Sequence, residues 1–150
     1  MPTRYEIVDK AREYLKTPFR HQGRMKGKGC DCVGLPLMVA EEFGLLDIKG
    51  VPLRGLDHRD YTPTPVNDMV KQHCDARLRS KPVADIKPGD VVLIKYSAFP
   101  THVGIISDIQ GQGLGLIHAY NGLGEVVEHI LSEPYRRRIV SAYEFPGVTD

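Results

Sequence analysis

The sequence lacks an excess of either charge: twenty Lys and Arg stand against nineteen Asp and Glu, a formal net charge of +1. A nucleic-acid binder would show a basic surplus, so none is expected as a partner. Two local basic clusters, Arg24-Met-Lys-Gly-Lys28 and Arg136-Arg-Arg138, read as solvated surface. A disulfide framework is excluded by the cysteine count, which is three and therefore odd. Cys30 and Cys32 stand one residue apart, too close for an unstrained bridge. No apolar run approaches the ~20 residues of a membrane helix. The opening Met-Pro-Thr-Arg-Tyr-Glu-Ile has no apolar signal region. These absences lead to the expectation of a chain made soluble in the cytoplasm, with no membrane segment. A phosphate cradle is missing as well, because Gly111-Gln-Gly-Leu-Gly115 has no strand-to-helix setting. Glu125 and Glu128 are not paired like glycosidase acids. No cofactor is implied. Repeats, low-complexity tracts and linkers are not found either, and 150 residues suit one domain over 1–150.

What is there divides into a helical first half and a stranded second half. Thr3 followed by Glu6 is a capping-box pattern. Ile7, Val8, Ala11, Tyr14 and Leu15 recur at helical steps, predicting a helix from Thr3 to Leu15 that stops before Thr17-Pro18. His21 to Gly29 is polar, glycine-rich and without periodicity, which predicts a surface loop. A second helix is expected from Asp31 or Cys32 to Phe43, capped by Gly44, with Leu35, Val39, Ala40 and Phe43 as its buried stripe. Pro36 is tolerated only near the first turn, where backbone N–H groups lack partners, and this places Cys32 at the helix N-terminus. Leu45 to Pro63 looks irregular, and Thr64-Pro65 is read as the start of a short helix carrying Val66, Met69 and Val70. After the turn Pro88-Gly89-Asp90, strands are expected at Val91–Ile94, Val103–Ile109, Leu114–Tyr120, Glu125–Ile130 and Ile139–Phe145. Helices followed by an antiparallel meander give an α+β layout.

Cys32 is the candidate nucleophile. A thiol attacks as thiolate, and a helix N-terminus favours that form while offering N–H groups to an oxyanion. From this segment alone, a small buried residue starting a core helix is an equal alternative. His102 decides between them. It opens Val103-Gly-Ile-Ile106, where alternation puts His102, Gly104 and Ile106 on one face, and an imidazole beside a glycine has room for a thiol to activate. His118 ends the apolar strand Leu114-Gly-Leu-Ile117. From a neighbouring strand it would hydrogen-bond the far nitrogen of His102 and set its tautomer. The other histidines read blandly: His58 as a solvent-facing loop residue and His129 as a surface or edge residue. Cys30 reads as a bystander and Cys74 as a core or half-buried thiol.

Asp31-Cys-Val-Gly-Leu35 resembles the Asp-Cys-Ser-Gly nucleophile motif of the NlpC family of papain-like cell-wall cysteine peptidases. Thr101-His-Val-Gly-Ile105 is similar to that family's His-Val-Gly-Ile strand, and Ile117-His-Ala119 to its third-residue strand. Pro88-Gly-Asp-Val-Val92 and Thr17-Pro-Phe-Arg20 match the flanking segments, so the resemblance covers residues 5–130 in order. It implies a papain-like α+β core, with N-terminal helices on an antiparallel sheet of five to six strands. It also implies amide hydrolysis in which Cys32 attacks, His102 carries the proton and His118 orients His102. The implied substrate is the stem peptide of peptidoglycan, cut between D-glutamate and the diamino acid. Arg20, His21, Asp31 and Val33 are then the expected substrate-binding residues. The short form, with Pro18-Phe-Arg-His-Gln-Gly23, looks most like members encoded with phage tails, which implies phage-tail proteins as partners and the cell wall as the place of action. Two positions depart from the pattern. Phe19 stands where many members have a Tyr whose hydroxyl assists the oxyanion, leaving Arg20, His21, Gln22 or the main chain to donate. Val33 replaces a Ser, at small cost if the backbone N–H is the group used.

Competing readings are an amidase or acyltransferase on the same fold, a structural tail component with a decayed site, and a zinc module. The zinc reading would draw on Cys30, Cys32, Cys74, His73 and His21, but Cys-x-Cys is not the usual knuckle spacing. No metal is expected.

Overall fold

The computed structural model describes residues 1–57, 61–62 and 67–150. Helix α1 (Arg4–Arg12) starts at the anticipated capping box: Thr3 Oγ1 accepts from the Glu6 N–H at 3.2 Å and Glu6 Oε2 accepts from the Thr3 N–H at 2.7 Å. It buries Ile7, Val8 and Ala11, and it ends three residues before the expected Leu15. Tyr14 and Leu15 instead make tight-turn bonds to Ala11 and Arg12. The Lys16 N–H leaves the helix altogether for the Val126 carbonyl at 3.0 Å. A tertiary contact therefore ends the helix before Pro18 does.

The segment expected as a surface loop is partly ordered into a hairpin of β1 (Arg24–Met25) and β2 (Gly29–Cys30). Helix α2 (Gly34–Glu42) follows, with Pro36 inside its first turn and Gly44 beyond its end in the left-handed region at φ +61°. Leu35, Met38, Val39 and Ala40 are buried, while Phe43 is half-buried. The stretch expected to be irregular holds a short 3-10 helix at Leu53–Leu56, and α3 (Met69–Arg77) begins at Asp68. The expected start at Thr64-Pro65, the residue Val66 and the loop histidine His58 lie outside the described residues.

Six strands form one antiparallel sheet in the order β3 (Arg79–Lys81), β8 (Ile139–Glu144), β4 (Val91–Lys95), β5 (Pro100–Ile109), β6 (Gly113–Ala119), β7 (Val126–Ile130). Five of these were expected. The polar β3 carries no hydrophobic alternation, and it forms because β8 offers it an edge. The four-residue helix α4 (Glu133–Arg136) also escaped the sequence reading. Every residue from Val91 to Ile94 is buried, since both faces of the sheet are covered. Val91, Leu93, Val103, Ile105 and Ile117 pack under α1 and α2. Val92, Ile94, Ile106 and Leu116 join a smaller cluster with Leu131 and Ile139 on the opposite face. Asp90, in the expected turn, is fully buried and accepts from Arg4 Nη1 at 2.5 Å, which ties α1 to the start of β4. Among the described residues, no helix is long and apolar enough to cross a membrane.

Candidate active site

Cys32 sits in the turn between β2 and α2, two residues ahead of Gly34, at the N-terminal end of the helix as expected. The turn is built around Asp31. Its Oδ1 accepts from the Gly34 N–H at 2.8 Å and its main-chain carbonyl accepts from the Leu35 N–H, so Asp31 does the capping. Oδ2 accepts from the Gln22 N–H at 2.8 Å and from the Tyr61 hydroxyl at 2.5 Å. Arg24 completes the cluster, donating from Nη1 to Asp31 at 2.9 Å, from Nε to Asp57 at 2.9 Å and from Nη2 to the Tyr61 hydroxyl at 2.6 Å. The Arg24 side chain is only 4% exposed. It was expected in a solvated basic patch; instead it is the buried cation of an ion cluster. Burial alone would lower its pKa, but the bond to Asp57 and the charge of Asp31 outweigh this and push it up. Gly34 permits the packing, because a Cβ there would lie 2.5 Å from the Gly23 carbonyl oxygen.

The histidines come from the sheet. β5 pairs with β6 only over Ile105–Ile109, so the stretch from Pro100 to Gly104 has an open edge on that side. Cys32 fills it: Sγ donates to the Thr101 carbonyl at 3.6 Å, and the Val103 N–H points back at the sulfur. The thiol is thus anchored on the residues flanking His102, with its own hydrogen bond going to main chain. His102, 7% exposed, and His118, fully buried, are joined by a 2.7 Å bond from Nε2 to Nδ1. Gly104 makes this possible, since a Cβ there would lie 2.6 Å from Leu116 Cδ1 and 3.3 Å from His118 Cβ. His118 Nε2 continues to His129 Nε2 at 2.8 Å, and His129 Nδ1 reaches the Ile130 carbonyl at 2.8 Å. His129 lies on the edge strand as anticipated, but it is half-buried and bonded into the site rather than idle. Tyr96 and Tyr120 stack on each other at 5.4 Å, each with its ring 5.4 Å from that of His102, and Tyr135 packs on His129 at 4.6 Å.

Cys32 and His102 open on one cleft of about 650 Å³. All four residues expected to bind substrate border it: Arg20, His21, Asp31 and Val33. Asp31 lies 3% exposed with both oxygens engaged, so it organises the turn instead of offering itself to a ligand. Phe19, in place of the hydroxyl-bearing Tyr, lines the cleft too, as does Tyr61.

The electrostatics reverse one expectation. A helix-terminal thiol was to have a lowered pKa; burial and then the charge of Asp31 push Cys32 up to about 12, against weaker help from the Val103 and Val33 N–H groups. Burial also lowers His102 to about 4. His118 falls to about 3, through burial and then the neighbouring His102 and His129. Burial thus favours the neutral forms of the Cys32 thiol and the His102 imidazole that share the cleft. Such a pair can move one proton from sulfur to nitrogen as the sulfur meets an electrophile.

By sequence, no family model and no curated protein matches the chain. Solved structures do match. A protein of the NlpC/P60 family from Bacillus cereus superposes with a TM-score of 0.65 at 17% identity, over 96% of this chain and 40% of that one. The NlpC/P60 domain of the peptidoglycan hydrolase SagA gives 0.60 at 20% identity, over 95% and 99%. NlpC2 from Trichomonas vaginalis gives 0.67 at 16% identity, over 97% and 48%. The chain thus spans less than half of two of these proteins and nearly all of the third. The fold is that of the NlpC/P60 domains.

Within that α+β, papain-like fold the remaining thiols are separated from the cleft chemistry. Cys30 is fully buried in the core beneath α2, and burial followed by the charge of Asp31 pushes it up to about 12. Cys74 lies inside α3, and burial and then Asp75 push it up to about 12. Among the described residues, no three His, Cys, Asp or Glu side chains are grouped to hold a metal ion.

Proposed function

We propose that the chain is a thiol peptidase that hydrolyses amide bonds in the stem peptides of peptidoglycan, with Cys32 as nucleophile, His102 as base and His118 as its orienting partner. One observation carries the reading: Cys32 and His102 share a cleft, and His118 occupies Nε2 of His102 at 2.7 Å, leaving Nδ1 as the ring nitrogen for a thiol proton. The likeness in fold to domains that include one from a peptidoglycan hydrolase supports the substrate class.

In the first step His102 Nδ1 accepts the Cys32 proton while the sulfur bonds to the amide carbon and the C–O π electrons move to oxygen. The Val33 N–H, which lies against the sulfur, is the main-chain donor for that oxyanion. Nδ1 then returns the proton to the leaving nitrogen as the C–N bond breaks, giving a thioester. Water adds with His102 again as base, and the carboxylic acid departs as sulfur regains its proton. The bond between D-glutamate and the diamino acid suits the cleft, where Arg20 and His21 stand ready for the stem peptide's carboxylates. The match of residues 18–23 to phage-tail members supports delivery to the wall by a phage-like particle.

The test is digestion of purified peptidoglycan with mass spectrometry of what is released. Fragments with a newly exposed diamino-acid amine, and none from Cys32→Ala, are expected. No release from the unaltered protein, or equal release from both, overturns the proposal.

A further inference from the structure

His129 has no part in the Cys32–His102–His118 set, yet it ends a continuous line of ring nitrogens. The last group in that line, the Ile130 carbonyl, can only accept a hydrogen bond. His129 Nδ1, 2.8 Å away, must therefore carry a proton. In a neutral His129 the other nitrogen, Nε2, is then a lone pair, so at 2.8 Å the proton between the rings belongs to His118 Nε2. That choice leaves His118 Nδ1 as an acceptor, and the 2.7 Å bond to His102 must be donated by His102 Nε2. His102 Nδ1 is consequently bare. A backbone carbonyl three links away selects the tautomer in which His102 can act as a base.

The geometry points to His129 as a positioning residue that sets the tautomer of His102 through His118, and whose protonation reverses the line and disables the base. This rests on the assignment of Cys32 and His102 above. A proton added at His129 Nε2 turns that nitrogen into a donor, facing the N–H of His118. The conflict is relieved only if His118 carries its proton on Nδ1 and His102 in turn carries its proton on Nδ1. Four protons are then shared by three rings, the original three plus the one added, and the nitrogen meant for the thiol is blocked. The position suits the role, because β7 is the edge strand and His129 is half-buried, whereas His118 is fully buried and His102 faces only the cleft. The titratable groups packed against His129 are His118 from β6 and Tyr135 from α4. Among the described residues, no carboxylate or ammonium bonds it. Burial holds His102 down to about 4, so its own protonation does not explain a loss of activity in mildly acidic solution.

Three variants separate this role from simple packing. His129→Leu removes the acceptor, and kcat should fall about tenfold with KM little changed. His129→Gln restores an acceptor that cannot be protonated, so it should recover most of the loss and move the acid limb of the kcat profile to lower pH. His129→Lys presents only donors and should lose about a hundredfold at every pH, the scale of a missing general base. Long-range proton–nitrogen NMR spectra of the histidine rings provide a readout independent of turnover: Nε2–H on His102 in the unaltered protein, Nδ1–H in folded His129→Lys. An unmoved acid limb in His129→Gln, or Nε2–H on His102 in His129→Lys, overturns the inference. Should Cys32→Ala still hydrolyse substrate, it is the peptidase assignment that fails, while the ring tautomers still report on the histidine line.

Discussion

On the histidine side of the cleft the functional groups sit on regular strands, and each reaches its neighbour across one step of an antiparallel sheet. On the cysteine side Cys32 sits in the turn that leads into α2, held by an ion cluster whose members come from residues 24, 31, 57 and 61. The histidine wall is a closely packed line of hydrogen-bonded rings. The cysteine wall depends on charges taken out of water and paired there, a construction that is weak evidence for stability but fragile when one partner is removed. One cleft thus joins a wall set by sheet register to a wall set by buried charge pairing.

The sharpest way to break the comparison is at the two reacting groups. Cys32→Ala should bring hydrolysis to background with an unchanged melting temperature, and His102→Ala should lower kcat by about a hundredfold or more. Turnover by a folded Cys32→Ala protein would remove the nucleophile from the scheme. Next in size is Arg24→Met, which leaves Asp31 buried without its cation, while Asp57 keeps its ion pair with Arg54. A loss of about 3–5 kcal/mol in denaturant titrations is expected, with activity falling as the turn loosens. Arg24→Lys should not rescue it, since one ammonium cannot span two carboxylates and the Tyr61 hydroxyl. Unfolding curves that overlay the parent would show that the cluster is dispensable.

His118→Ala tests the other wall and should be milder, about tenfold in kcat, because water can enter to bond His102 Nε2. The last effect is on stability in acid rather than on turnover. In the folded chain His102 is held down to about 4, whereas an unfolded histidine titrates near 6.5. Below about pH 6.5 the unfolded chain takes up a proton that the folded chain refuses. The stability due to a neutral, buried His102 is therefore complete above that pH and lost as the pH falls towards 4, by roughly 3 kcal/mol. His118 adds in the same direction. Melting temperatures that stay flat from pH 7 to 4.5 would contradict the burial described for the pair.

Particular elements show why the two walls differed in legibility. Thr3 and Glu6 cap α1 as their spacing foretold, because a capping box is closed within four residues. The alternation of His102, Gly104 and Ile106 located the strand that carries His102, because side chains in a strand alternate by covalent geometry. His118 was legible for the same reason, and its bond to His102 is where the alternation put it. His129 was passed over, although the register pairing Leu116 with His129 carried the signal. Counting back from the turn at Asn121–Gly124 would have placed it opposite Leu116, diagonal to His118 on the same face. Arg24 gave no comparable sign: nothing between residues 21 and 29 distinguishes a buried arginine from a solvated one until Asp57 and Tyr61 arrive from later in the chain.

By itself the sequence determined the helices that cap locally, the five apolar strands, and the three side chains suited to thiol chemistry, because each is encoded by neighbours within a few residues. Only the tertiary structure decided that burial favours the neutral thiol and the neutral imidazole, that Arg24 is a buried cation, and that a third histidine joins the line. Those properties come from burial and from partners distant in sequence. Desolvation and long-range pairing arise only when the chain has closed on itself.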